Sequence, residues 1–120
     1  MENKEAIKLI DKTLKKIDED GVNSEGVISN VKALRVFALE EQIPLVVKVL
    51  RLTYEHIEAN DSFLIPILDD EPLEENGEIV ANDMTAPEES LKYLLSLIKN
   101  LNNKMNVLDL KEYRDLLTDY

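Results

Sequence analysis

Residues 44–59 read PLVVKVLRLTYEHIEA, and whether they form a strand or a helix decides the fold class of the chain. Val46, Val47 and Val49 favour a strand, because β-branched side chains pack well on a pleated surface. The polar residues point the other way. Lys48, Arg51, Glu55 and Glu58 are spaced 3, 4 and 3 apart, which keeps them on one side of a helix and which strand alternation does not produce. Pro44 suits the first turn, where its missing N–H has no helical partner to lose. The spacing predicts a helix over 44–59.

Upstream, Pro44 forces Ile43 out of the helical region and places a break near Gln42–Ile43. A second helix is expected over about 24–41, opened by Asn23 or Ser24. Its stripe is Val27, Val31, Leu34 and Ala38. Ala33, Val36, Phe37 and Leu39 make its second half apolar on most sides, so it is expected to be the central, most buried element. The first helix is expected over about 3–20, with Asn3 as cap and Gly21 as a left-handed stop. Ile7, Ile10, Leu14 and Ile17 form its narrow stripe, and Lys8, Lys12, Lys15 and Lys16 occupy its other faces.

Downstream, Phe63 to Leu68 is apolar around Pro66, which bars a helix interior or a central strand; an extended or single-turn segment over the core is expected. Pro72, Gly77 and dense acids then predict a long loop over 69–84. Thr85-Ala-Pro-Glu88 reads as a capping box opening a helix over about 86–104, with Leu91, Leu94, Leu95, Ile98, Leu101 and Met105 inward. Asn100, Asn102 and Asn103 would fray its end. A last helix over about 110–118 follows Asp109, with Leu108 and Tyr113 as a hydrophobic staple, and Tyr113, Leu116, Leu117 and Tyr120 docking it onto the body. The expected fold is an all-α compact bundle of four to five helices, one domain over 1–120, with one long acidic loop.

The net charge of −11 is local. Residues 61–90 hold ten acids and no base, while each of the blocks 1–20, 21–60 and 91–120 lies within one unit of neutrality. Six of those acids, Asp69, Asp70, Glu71, Glu74, Glu75 and Glu78, lie in the loop and are the candidate partner-binding residues, an electrostatic docking element for a basic protein surface. A nucleic-acid mimic would spread its carboxylates along rigid helix faces, whereas the helical body here is nearly neutral.

Composition excludes several chemistries. With no cysteine there is no disulfide framework, no Cys-ligated metal and no thiol nucleophile. A single histidine, His56, excludes a multi-His metal site; it extends the row Leu45, Val49 and Leu52 into the last turn of its helix and reads as a partly buried or capping residue. Asp18-Glu-Asp-Gly21 resembles the start of a calcium loop. Aligning Gly21 with the invariant glycine puts Lys16 first and Val27 where the bidentate Glu belongs, so the pattern fails. The three glycines form no phosphate loop, and no nucleophile elbow or HExxH occurs. No metal, cofactor or catalytic residue is expected. The scarcity of bases argues against direct nucleic-acid binding, and no run of about 18 apolar residues supplies a membrane span. The start mixes charge signs and lacks a secretory layout, so a cytoplasmic location is expected.

The chain therefore reads as a non-enzymatic protein–protein interaction or regulatory, adaptor-type domain, forming a homodimer and acting through helix faces and the acidic loop. The alternative is an acidic inhibitor of immunity or antitoxin type that blocks a basic enzyme or nucleic-acid-binding surface.

Overall fold

In the computed structural model, three helices start at a capping side chain and two at a proline in the first turn. Asn3 opens α1 (Lys4–Asp20): its side-chain oxygen accepts the backbone N–H groups of Glu5 at 2.8 Å and Ala6 at 3.2 Å. Ser24 opens α2 (Glu25–Glu40) by accepting the N–H of Val27 at 3.1 Å. Pro44 occupies the first turn of α3 (Pro44–Asn60), and Pro87 that of α4 (Pro87–Lys99). Asn103 opens α5 (Lys104–Asp119) by accepting the N–H of Met105 at 2.8 Å. The structure describes residues 1–66 and 86–120, and their regular structure is entirely helical. The loop expected over 69–84 lies outside the described residues.

The stops are as specific. Gly21 takes a φ of 88°, and its N–H closes α1 onto the Ile17 carbonyl. At the end of α2, Gln42 adopts a φ of 58°; its N–H reaches Leu39 O while Ile43 N–H reaches Ala38 O. That pair of bonds is a Schellman closure, with glutamine in the left-handed position that glycine usually fills.

The main packing contacts close a ring in the order α1, α2, α3, α5, α4 and back to α1. Each helix turns one apolar face inward, so the core is shared by all five. Lys92 pairs with Asp18 and Lys99 with Asp11, both at 2.7 Å, which fixes the antiparallel register of α1 and α4 at a seven-residue interval. α4 is tied to α5 through Tyr93, whose hydroxyl donates to Asp109 at 2.6 Å, and through the buried pair of Ser90 and Tyr113 at 3.0 Å.

Several expectations are corrected. The buried face of α1 is Ala6, Ile10, Thr13 and Ile17, with Leu9 and Leu14 packed at its margins and Ile7 half-buried. Thr13 is tolerated there because its hydroxyl donates to the Leu9 carbonyl at 2.7 Å. α2 is not the central, most buried helix. Its stripe Val27, Val31, Leu34 and Ala38 is buried as expected, but Val36 and Leu39 are 53% and 50% exposed, because a ring member buries only one face. α4 is more fully covered, with Ser90, Leu91, Leu94, Leu95, Leu97 and Ile98 all inside. It ends at Lys99 rather than near 104, and Met105 belongs to α5 and faces out. The asparagines do not fray: Asn103 caps α5, and the Asn106 side chain donates to the Asn100 carbonyl at 2.9 Å, so they build a tight turn. α5 accordingly starts at Lys104 instead of 110. Leu108 sits within it, 54% exposed, and forms no staple with the buried Tyr113. Leu117 is buried and Tyr120 docks by the edge of its ring against His56 while much of it stays exposed, whereas Leu116 faces out. Ala86 holds the cap position of α4 with no side-chain hydrogen bond, and Thr85 lies outside the described residues.

Leu34→Ala should destabilise the chain by about 2–5 kcal/mol, since it empties a fully buried site. Val36→Ala on the same helix should stay within about 0.5 kcal/mol. Urea unfolding of the two variants checks this; equal losses would refute the assignment of faces on α2. Gln42→Gly should stabilise the fold by about 1 kcal/mol by relieving the left-handed backbone. A loss in the same assay would show that the glutamine side chain itself holds the turn.

Candidate functional site

The candidate acids Asp69, Asp70, Glu71, Glu74, Glu75 and Glu78 lie outside the described residues. The described structure does show how the chain leaves the ring on its way to them. After α3, Asp61 takes a φ of 59° and accepts a hydrogen bond from the Asn23 side chain at 3.1 Å. Phe63 and Ile65 then turn into the core while Leu64 and Pro66 face out, the alternation expected of an extended strap. His56 fastens this strap: the backbone N–H of Leu64 donates to His56 Nε2 at 3.0 Å. The rings of Phe63 and Tyr120 pack edge-on against the imidazole at 5.6 and 4.7 Å, and Phe63 continues to Tyr113 at 6.3 Å. The sequence predicts that His56 is partly buried or caps its helix; its ring is buried and holds the strap instead of the helix end.

An Nε2 that accepts must carry its lone pair, so the imidazole is neutral with its proton on Nδ1. Burial pushes the His56 pKa below its ordinary value of 6.5, because charging the ring would strip it of water. Protonation would also turn Nε2 into a donor facing the Leu64 donor.

Among the described residues, two surfaces and one open pocket stand out. The first surface is a groove of about 420 Å³ where α2 passes into α3. Leu39, Ile43, Pro44 and Val47 supply apolar lining, and Lys48 and Arg51 supply positive charge. Arg35 lies one turn before Leu39 on α2, and its Nε is buried with no hydrogen-bond partner among the described residues. Lys48 has no ion pair among them either, and Arg51 reaches Glu55 only at 3.9 Å. Lys32, by contrast, pairs with Glu58 at 3.0 Å and lies over the Tyr54 ring at 5.2 Å. The second surface is the outer face of α5, where Met105, Leu108 and Leu116 share one side and are exposed.

The pocket, of about 620 Å³, lies between the N-terminal arm, Glu41 and the turn after α4. Glu41 takes the backbone N–H of Glu2 on one oxygen and of Asn3 on the other, each at 3.2 Å, so both oxygens are engaged. The Met1 amine donates to the Ile98 carbonyl at 3.0 Å, and burial lowers its pKa. Among the described residues no three acidic or histidine side chains converge as a metal site would require. No described helix is long and apolar enough to cross a membrane.

Sequence reasoning missed the groove, because it spent Val36 and Leu39 on an expected core. The available signal was an excess: α2 carries more apolar residues than one stripe needs, beside all four bases of residues 21–60.

The depressed His56 pKa carries a pH dependence. Because the unfolded imidazole takes up a proton near pH 6.5 and the folded one only lower, stability is complete above about 6.5 and falls as pH drops toward the folded value. Unfolding curves between about pH 7 and pH 5 should show this slope, and His56→Gln, whose amide oxygen still accepts from Leu64, should flatten it. An identical slope in the variant would acquit His56.

Compared with known proteins, the chain matches no family model, no curated protein and no solved structure, so a functional reading rests on the surfaces just described.

Proposed function

We propose that this chain is a non-enzymatic interaction or regulatory domain of the cytoplasm that binds protein partners, including a second copy of itself, through its helix faces. The observation that supports this most is the pair of apolar faces left outside a filled core, on α2 at Val36 and Leu39 and on α5 at Leu108 and its neighbours. A ring of this kind buries enough to fold, and apolar side chains it leaves together in water favour a cover. The basic lining of the groove sets the sign of charge such a cover would carry on that side.

A second reading is supported by the charge map: ten acids without a base over residues 61–90 suit an inhibitor that docks into a basic surface and is steered there electrostatically. The carboxylates at Asp69, Asp70, Glu71, Glu74, Glu75 and Glu78 would make the contact.

Affinity capture with the full chain, read by mass, tests both readings. Val36→Glu with Leu39→Glu, and Leu108→Glu with Leu116→Glu, change exposed positions and should leave helix content intact. One pair should abolish retention of a stoichiometric partner. Changing the six loop acids to Asn or Gln should slow association with a basic partner by about tenfold at low salt. A chain that retains neither a partner nor itself overturns the interaction reading, and a partner whose association ignores both salt and the loop acids overturns the inhibitor.

A further inference from the structure

We propose that the outer face of α5 pairs with the same face of a second copy of this chain, the two helices running antiparallel about a two-fold axis near Lys111 and Glu112. This pairing deepens the interaction reading and rests on it.

The face is charged by halves. Lys104, Leu108, Lys111, Asp115 and Asp119 are spaced 4, 3, 4 and 4 apart, so they form one row along the helix, and all five are exposed. From its start the row is basic, apolar, basic, acidic and acidic. Met105, Glu112 and Leu116 form an exposed shoulder beside it. Little of this charge is engaged within the chain. Lys104, Lys111, Glu112 and Asp119 form no ion pair among the described residues, and Asp115 meets only its neighbour Arg114, at 3.1 Å. The inner side of α5 is already occupied: Leu110, Tyr113 and Leu117 are buried, and Asp109 accepts from the Tyr93 hydroxyl.

The order of signs selects the occupant. A segment of one sign matches one half of the row and is repelled by the other. That counts against the chain's own residues 67–85, whose charged side chains are all acidic. A parallel second copy sets Lys104 against Lys104 and Asp119 against Asp119. An antiparallel copy sets Lys104 beside Asp119 and Lys111 beside Glu112, and the two-fold axis makes each contact twice. The same register lays Leu108 against Leu116 of the second copy, so apolar contact and ion pairs coincide. With 16 residues α5 is about 24 Å long, and one such helix face buries less than the roughly 800 Å² per partner of a standard interface. The pair is therefore a weak one that forms and parts with concentration.

Sedimentation equilibrium of the full chain over a concentration series at about 0.15 M salt reads the copy number. One copy should give way to two as concentration rises. Lys104→Glu with Lys111→Glu, and Asp115→Lys with Asp119→Lys, should each weaken the pair about tenfold, and mixing the two variants should restore it. Lys104→Glu and Asp119→Lys suit the helix dipole at their ends of α5, so circular dichroism should show no loss of helix. A pair that survives both reversals, or that mixing does not restore, overturns the proposal. So does a pair lost instead in Val36→Glu with Leu39→Glu, which moves the contact to α2 and leaves the interaction reading standing. A single copy at every concentration overturns it too: one that captures another protein leaves the interaction reading standing, and one that captures nothing overturns both.

Discussion

A closed ring of five helices lets each member bury one stripe and no more, and most of this molecule follows from that constraint. The interior is filled by stripes such as Val27, Val31, Leu34 and Ala38 on α2 and by the leucines of α4. No helix lies at the centre, so an apolar residue off the stripe packs at its margin, as Phe37 does, or faces outward. Val36 and Leu39 are the result on α2, and Met105, Leu108 and Leu116 on α5. These residues cost little in the folded chain, since isolated surface apolar groups are ordinary. Their grouping is what turns leftover hydrophobicity into candidate contact area.

The same constraint explains why His56 is so fully engaged. Its helix closes the ring against α5, yet the chain must leave α3 there and cross the end of the core. Phe63 and Ile65 fill that end, but a strap with two inward side chains has no helix hydrogen bonds to hold it. The Leu64 N–H would be left without a partner close to the core, a cost that the His56 ring nitrogen removes. A neutral imidazole does this well between the rings of Phe63 and Tyr120, because it buries an acceptor without burying a charge.

Helix existence and most starts were legible in the sequence, because Asn3, Ser24, Pro44 and Pro87 act locally and the 3-4-3 spacing of Lys48, Arg51, Glu55 and Glu58 outweighs the valines beside it. The boundary between α4 and α5 was not legible. Asn100 to Asn106 can fray a helix or build a turn, and which happens depends on side-chain bonds that only the folded corner supplies. Depth was half legible. Periodicity says which residues share a face, but only the arrangement of neighbours says whether that face is covered, so Val36 and Leu108 were misplaced while Leu34 and Tyr113 were not. The candidate groove was legible only as an apolar surplus on α2; its place was not, because Leu39 and Val47 are distant in the pattern and come together at the corner made by Gln42.

Charge segregation bears on any association of two such chains. Each carries −11, so at low ionic strength two copies repel as wholes, whatever their local complementarity. At physiological salt the screening length is about 8 Å, which removes most of the long-range repulsion but spares pairs formed at contact, such as Lys104 with Asp119 of a second copy. At about 1 M salt it falls to about 3 Å, and the contacts weaken in turn. Association that depends on contact ion pairs is therefore strongest at intermediate salt. Association through apolar contact alone lacks that maximum, because screening only relieves repulsion while the hydrophobic contribution persists. The shape of the salt dependence, more than its magnitude, separates the two kinds of contact.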